Sequence, residues 1–181
     1  MRKQIVHLGL TLFVVGLVAA VGLGLTYTAT SKRIAEQDRL SEAKAAVDAL
    51  PGVKSPSDLV AEPALARKAR KAVPEVRKVY TTGRGTIITV ESKGYGGPML
   101  TAVGIDRDGK VAGAASISNK ETIGLGSKAL EPEFLKQFNG KDARSGIEAG
   151  RDIQAVTGAT ITSKAVVKQV RAALKAYSRI Q

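Results

Sequence analysis

The 181-residue chain contains no cysteine, no tryptophan and a single histidine. Each gap removes a class of chemistry. Without cysteine there is no iron–sulfur cluster, no c-type haem attachment, no thiol nucleophile and no disulfide. The one histidine, His7, lies inside an apolar N-terminal run, so the rest of the chain has no imidazole for a metal site or a general base. A redox role must then rest on an organic cofactor. Aromatic residues make up 4% of the chain, too few for a stacking platform on single-stranded nucleic acid. The net charge of +12 would attract a polyanion, but Lys and Arg are scattered, and no zinc-finger or RNP signature gathers them. Nucleic-acid binding is therefore not expected. A basic domain lying against anionic lipid headgroups accommodates the same charge.

What the chain does have begins with Ile5–Leu25, a run free of Lys, Arg, Asp and Glu. As a helix it would be about 31 Å long, close to the hydrocarbon thickness of a bilayer. A retained membrane anchor is expected; the competing reading, a cleaved signal peptide, lacks a clean small-x-small cleavage site before Thr28-Ala29-Thr30. Arg2 and Lys3 before the span nearly balance Lys32 and Arg33 after it, so charge alone leaves the orientation open. Gly16, Ala20 and Gly24 form a small-residue stripe that would let a neighbouring helix approach, although small residues are common in such spans. His7 reads as an interfacial side chain rather than a ligand.

Ser31–Leu50 continues as a helix with Ala43, Ala46, Val47 and Leu50 on one face, stopped by Pro51-Gly52. A second helix spans about Glu62–Val73 before Pro74. Its Arg67, Lys68, Arg70 and Lys71 form either a solvated face or a contact for lipid or an acidic partner. From Val76 the period changes: Val76–Thr82, Thr86–Ser92, Met99–Ile105 and Val111–Ile117 read as short strands joined by turns at Gly83-Arg84-Gly85 and Asp106–Gly109. Glu131–Phe138 reads as a short helix and Asp152–Val156 as a last strand. The final helix, Lys164 to about Arg179, sets Val166, Val170, Ala173, Leu174 and Tyr177 on one face. Lys164, Lys168, Arg171, Lys175 and Arg179 occupy the other, as a solvated face or a dock for an acidic partner. The predicted class is α+β: an antiparallel sheet flanked by helices and preceded by one transmembrane helix.

Three segments stand out against this background. Thr157-Gly158-Ala159-Thr160-Ile161-Thr162-Ser163 feeds the last helix, where free backbone N–H groups and the positive end of the helix dipole would seat a phosphate beside the Thr160 hydroxyl. The plainer reading makes Thr162 or Ser163 the N-cap and nothing more. Glu121-Thr122-Ile123-Gly124-Leu125-Gly126-Ser127-Lys128 and Gly94-Tyr95-Gly96-Gly97-Pro98-Met99 are glycine-rich loops that serve either as turns or as close approaches of backbone to a ligand.

Taken in this order behind one N-terminal membrane helix, the three segments resemble the FMN-binding G subunits of the Rnf ion-pumping redox complex. That wider family also holds the C subunit of the sodium-pumping NADH:quinone reductase. The resemblance implies that Thr160, the last threonine of Thr157-Gly158-Ala159-Thr160, is esterified to the phosphate of FMN by a separate flavin transferase. Gln154 stands where the family pattern carries an acidic residue. Glu121, Thr122, Gly124, Leu125 and Gly126 would form a loop over the isoalloxazine, with Glu121 fixing its shape, Lys128 offsetting charge on the reduced ring and Tyr95 as a wall. The implied partition is a cytoplasmic N-terminus (1–4), a transmembrane helix (5–25), an extracytoplasmic helical stalk and helix (26–74) and an FMN-binding domain (75–181). The implied protein crosses the bacterial inner (plasma) membrane once and relays electrons among other membrane and redox subunits of an ion-translocating complex that couples ferredoxin and NAD.

A second class of function remains compatible with the residues: a cofactor-free extracytoplasmic adaptor or sensor that binds lipid or an acidic partner. A hydrolase gains little support. No histidine serves Thr160 or Ser163, and Ser127-Lys128 and Ser163-Lys164 are adjacent pairs rather than a Ser-x-x-Lys arrangement.

Overall fold

The computed structural model describes residues 2–181. Met1 and the side chains of Arg2 and Ile5 lie outside that description, so the expected N-terminal segment 1–4 and the first residue of the span fall partly outside it.

Helix α1 runs unbroken from Arg2 to Ala49. Along its first half the apolar side chains are exposed all round, Leu12 at 74% and Val18 at 67%. A helix that is apolar on every side and unburied is built for hydrocarbon rather than water. Its hydroxyls bond back to the preceding turn, Thr11 to the His7 carbonyl at 2.9 Å and Thr26 to Gly22 at 2.8 Å. The hydroxyls of these threonines therefore need no water. Residues 1–40 and 41–181 form two separate compact units.

In the second unit α1 ends at Ala49, because Pro51 bars the residue before it from the helical region and Gly52 takes a positive φ of 91°. A two-residue strand β1 (Val60–Ala61) and helix α2 (Pro63–Ala72) follow. Strands β2 (Val76–Thr82), β3 (Gly85–Lys93), β4 (Pro98–Asp106) and β5 (Val111–Ser118) then build an antiparallel meander in the order β1-β2-β3-β4-β5. Short helix α3 (Pro132–Leu135) continues into a 3-10 turn at Lys136–Phe138, and α4 (Thr160–Ile180) closes the chain.

Both faces of the sheet are covered. On one, Ile88, Val90, Met99, Val103 and Ile105 pack against Val166, Val170, Ala173 and Leu174 of α4, with α2 and the α3 region beside them. On the other, Ile87 and Ala102 pack against Ala45, Ala46, Ala49 and Leu50 at the end of α1. Burying aliphatic side chains of this size is worth about 1.5–3 kcal/mol each. Cross-strand neighbours Gly104 and Gly113 make the second contact possible: a side chain at either would run into the Ala49 carbonyl, so the helix end settles into a glycine trough.

One buried polar device fixes α4 along the sheet. Gln169 is fully buried; its Oε1 accepts from Thr101 Oγ1 at 2.8 Å, and its Nε2 donates to the carbonyls of Val90 at 3.0 Å and Met99 at 2.9 Å.

Two expectations are corrected. Asp152–Val156 is not a strand; only an isolated bridge, Ala149 with Ile153, forms there. Its polar groups are met locally, the N–H of Ile153 by the Glu148 carbonyl and that of Gln154 by Gln137 Oε1. The near end of the β5 edge is taken by residues 140–141, which exchange bonds with Val111. The last helix starts at Thr160, four residues earlier than expected, with Ala159 as N-cap and no capping side chain. Thr162 and Ser163 are therefore not caps but buried first-turn residues.

Candidate functional site

Three loops converge at the N-terminus of α4. The approach to the helix is a turn in which the Ala159 N–H bonds the Val156 carbonyl at 2.9 Å. Gly158 takes a φ of 78° at its third position, the requirement of a type II turn. Ser163 Oγ reaches back to accept from the Val156 N–H at 3.1 Å, closing the loop on its own helix. The segment Thr122–Ser127 is a second compact turn: Leu125 N and Ser127 N both donate to the Thr122 carbonyl at 3.2 Å, with Gly124 at a φ of 77°. A side chain at Gly158 would be strained at this φ and would push against Leu125 Cδ1, 2.9 Å from where its Cβ would be. The third loop, Gly94–Gly97, closes through a bond from Gly94 N to the Gly97 carbonyl at 2.8 Å.

Between them lies a cleft of about 370 Å³ lined by Tyr95, Glu121, Thr122, Leu125, Gly126 and Gly158–Thr162. That volume falls in the ~300–1,000 Å³ range of small-molecule sites. The buried Glu121 and Thr162 make part of its wall polar, while Tyr95 and Ile161 are open, 72% and 57% exposed. Ser163 N makes the first backbone bond of the helix, to the Ala159 carbonyl at 2.9 Å. Among the described residues no side chain accepts from the N–H groups of Thr160, Ile161 or Thr162. These donors and the helix dipole, equivalent to about half a positive charge, open on the cleft.

Residues 157–163 bring four hydroxyls to this corner, and they differ in state; the exposed hydroxyl of Thr122 joins the wall from another loop. Thr162 Oγ1 is buried and donates to Glu121 Oε2 at 2.8 Å; Ser163 Oγ is buried and bonded to Val156 N. Thr157 is exposed but does not line the cleft. Thr160 alone among the four is both exposed and part of the cleft wall.

Of the residues singled out from sequence, Tyr95, Glu121, Thr122, Leu125, Gly126, Gly158, Ala159 and Thr160 meet around the cleft, whereas Thr157, Gly124 and Lys128 stand outside its wall. Lys128 is exposed, its carbonyl accepting from Glu131 N at 3.4 Å. Ile161 and Thr162 join the lining unforeseen. Starting the helical period at Thr160 instead of Lys164 would have found them.

A larger groove of about 730 Å³ runs along α4 beside Glu75, Asp142, Glu148, Lys168, Arg171 and Lys175. Lys168 and Glu75 pair there at 3.2 Å. Hydrogen bonding to its own backbone N–H, then to the Lys168 ammonium, holds the Glu75 carboxyl below its usual value. Size does not make it the better site: its charges offset one another, and no helix N-terminus opens onto it among the described residues.

An antiparallel sheet covered by helices, with a glycine-lined cleft at the start of its longest soluble helix, defines a domain suited to a phosphate-bearing cofactor. Comparison with known proteins agrees. Residues 94–175 match the FMN-binding domain family and residues 1–46 match the RnfG N-terminal region. The chain is 33% identical over 198 aligned positions to the G subunit of the Na(+)-translocating ferredoxin:NAD(+) oxidoreductase complex of Acetobacterium woodii, covering 98% of this chain and 94% of that one. It is 28% identical to the G subunit of the ion-translocating oxidoreductase complex of Stutzerimonas stutzeri, covering 98% and 83% respectively. The same fold is seen in the C subunit of the Na(+)-translocating NADH-quinone reductase of Parabacteroides distasonis, with a TM-score of 0.58 at 21% identity, over 82% of this chain and 96% of that one. The chain belongs to the RnfG family, with an FMN-binding domain and a membrane-anchoring helix.

Proposed function

We propose that this protein carries FMN as a phosphoester on Thr160 and serves as an electron-transfer subunit of an Rnf-type complex that couples electron flow between ferredoxin and NAD to ion translocation. The observation that carries the site is the contrast among the four hydroxyls of residues 157–163: Thr162 and Ser163 are committed to internal bonds, Thr157 is not part of the cleft wall, and Thr160 is exposed on it. The Gly158–Thr160 turn and the unpaired N–H groups of the first helical turn would hold the phosphate oxygens. Thr122, Leu125, Gly126 and Tyr95 would flank the ring, and the exposed Ile161 would add to its apolar surround. Lys128 and Gly124, outside the wall, are assigned to the loop's outer surface.

The bound flavin supplies the one- and two-electron chemistry. The protein's part is to fix the cofactor, shield it and leave one edge open. The exposure of Thr160 supports attachment there. In the proposed attachment Thr160 Oγ1 would take the FMN-side phosphoryl group of FAD, with AMP as the leaving group and the hydroxyl proton passing to a base of a separate flavin transferase.

We assign residues 1–4 to the cytoplasm, 5–25 to the bacterial inner membrane, and 26–74 and 75–181 to a stalk and cofactor domain on the extracytoplasmic side. A tether is useful there because a lost flavin could not be replaced from cytosolic stores. The partners are the other membrane and redox subunits of the complex. Thr160→Ala, co-expressed with the transferase, is expected to give a folded protein with no flavin fluorescence after denaturing electrophoresis. Retained fluorescence would place the ester on another residue.

A further inference from the structure

Glu121, in the cleft wall, is buried to 7% exposure, and the flavin's redox chemistry gives it no role. Its two oxygens face different segments. Oε2 accepts from Thr162 Oγ1 at 2.8 Å, in the turn that carries Thr160; Oε1 accepts from the Gly96 N–H at 3.0 Å, next to the cleft residue Tyr95. Glu121 itself opens the third segment, its own N–H held by Asn119 Oδ1 at 3.1 Å.

The surrounding glycines are shaped to this side chain. A Cβ on Gly94 would collide with Glu121 Oε1 and one on Gly126 with Glu121 Oε2, while one on Gly96 would meet the Lys120 carbonyl. Gly94 and Gly126 thus clear a slot for the carboxylate, and Gly96 lets its loop close against the neighbouring backbone. Burying a carboxylate is expensive, and a neutral tie would hold loops more cheaply. Its placement where three loops meet at a ligand cleft points to a positional task rather than bulk stability.

We propose that Glu121 is a positioning residue for cofactor attachment: it clasps the Gly94–Gly97 loop and the first turn of α4 to its own loop, so that Thr160 and the cleft wall are held in register before the flavin arrives. The proposal rests on the assignment of Thr160 above. Its action is geometric, so an amide can replace it. In Glu121→Gln, Oε1 can still accept from Gly96 and Nε2 can donate to Thr162 Oγ1 once that hydroxyl turns.

The test uses the full chain co-expressed with the transferase, following flavin incorporation over time by in-gel fluorescence. Glu121→Ala is expected to slow incorporation by about ten- to a hundredfold, the scale of misplacing a reacting group by about an ångström. Glu121→Gln is expected to recover at least half of the wild-type rate, and Thr162→Val, which cuts only one arm of the clasp, to fall between. Loading by Glu121→Ala at the wild-type rate, or equal failure of Gln and Ala, would overturn the proposal. Hydrogen exchange in the unloaded chain separates the clasp from the attachment site. The Gly96 amide is expected to exchange at least about tenfold faster in Glu121→Ala than in wild type, and no change there would refute the clasp. Wild-type chain that never acquires flavin, with that exchange difference intact, would refute the Thr160 assignment instead. Should Glu121→Ala fail to fold, Gly94→Ala, outside the cleft wall, drives a methyl into Glu121 Oε1 and is expected to slow loading and speed Gly96 exchange in the same directions; no change in either would refute the clasp.

Discussion

Replacing Gln169 with leucine tests how α4 is held in the register that puts Thr160 at the cleft. The side chain lies at 0% exposure and makes three hydrogen bonds, one from Thr101 and two to strand carbonyls. Leucine nearly conserves the volume, so the cavity contribution is small. The loss comes from the Thr101 hydroxyl, also at 0% exposure, which is left with no acceptor, and from two carbonyls that lose a donor. An orphaned buried group costs about 1–3 kcal/mol, so the variant should lose about 3 kcal/mol in all. For a domain of this size that is a fall in Tm of about 6–12 °C. Thr101→Val should cost about 1–3 kcal/mol by stranding Gln169 Oε1. In the double variant neither partner is left waiting for the other. Its loss should fall short of the sum of the singles by about 1–2 kcal/mol. Calorimetry of the full chain in detergent measures all four proteins. Additivity within about 0.5 kcal/mol would mean that Thr101 and Gln169 are not coupled, and that α4 is held by apolar packing alone.

Two further outcomes follow from the other face of the sheet. Gly104→Ala drives a methyl into the Ala49 carbonyl and should destabilise the domain by about 1–3 kcal/mol, read as a lower Tm with the apolar span unaffected. Tyr80 donates to Glu42 Oε1 at 2.9 Å, and burial first, then this bond, raises its phenol well above the usual value. A raised folded value means that its contribution, about 1 kcal/mol, is complete below about pH 10 and is lost as pH climbs toward the folded value. The Tm advantage of wild type over Tyr80→Phe should therefore shrink between about pH 10 and pH 11.5, and a constant difference would contradict the assignment.

The strands were legible because alternation is a local property. Val76–Thr82 forms as expected, and the next three gain one residue at one or both ends where ladder bonds extend past the apolar core. The start of α4 was misread for a physical reason. Thr160, Ile161, Thr162 and Ser163 are weak helix formers, and hydroxyl residues favour caps. Here Thr162 and Ser163 turn inward to Glu121 and Val156, so tertiary bonds extend the helix through residues that local preference would leave outside it. Gln169 lay hidden inside an apolar face, its partners on strands β3 and β4. The Glu121 clasp joins positions 25 and 41 residues away in sequence, beyond the reach of any periodicity. The convergence of the glycine loops on the threonine turn was visible only as a resemblance, since nothing local brings Tyr95 to Thr160.

The account turns on a single ester. Protein taken from its native membrane, digested and weighed, should give the peptide containing Thr160 heavier than its sequence by FMN less one water, with fragmentation placing the addition on that threonine. The same peptide at its unmodified mass, with flavin absent or bound elsewhere, would contradict it.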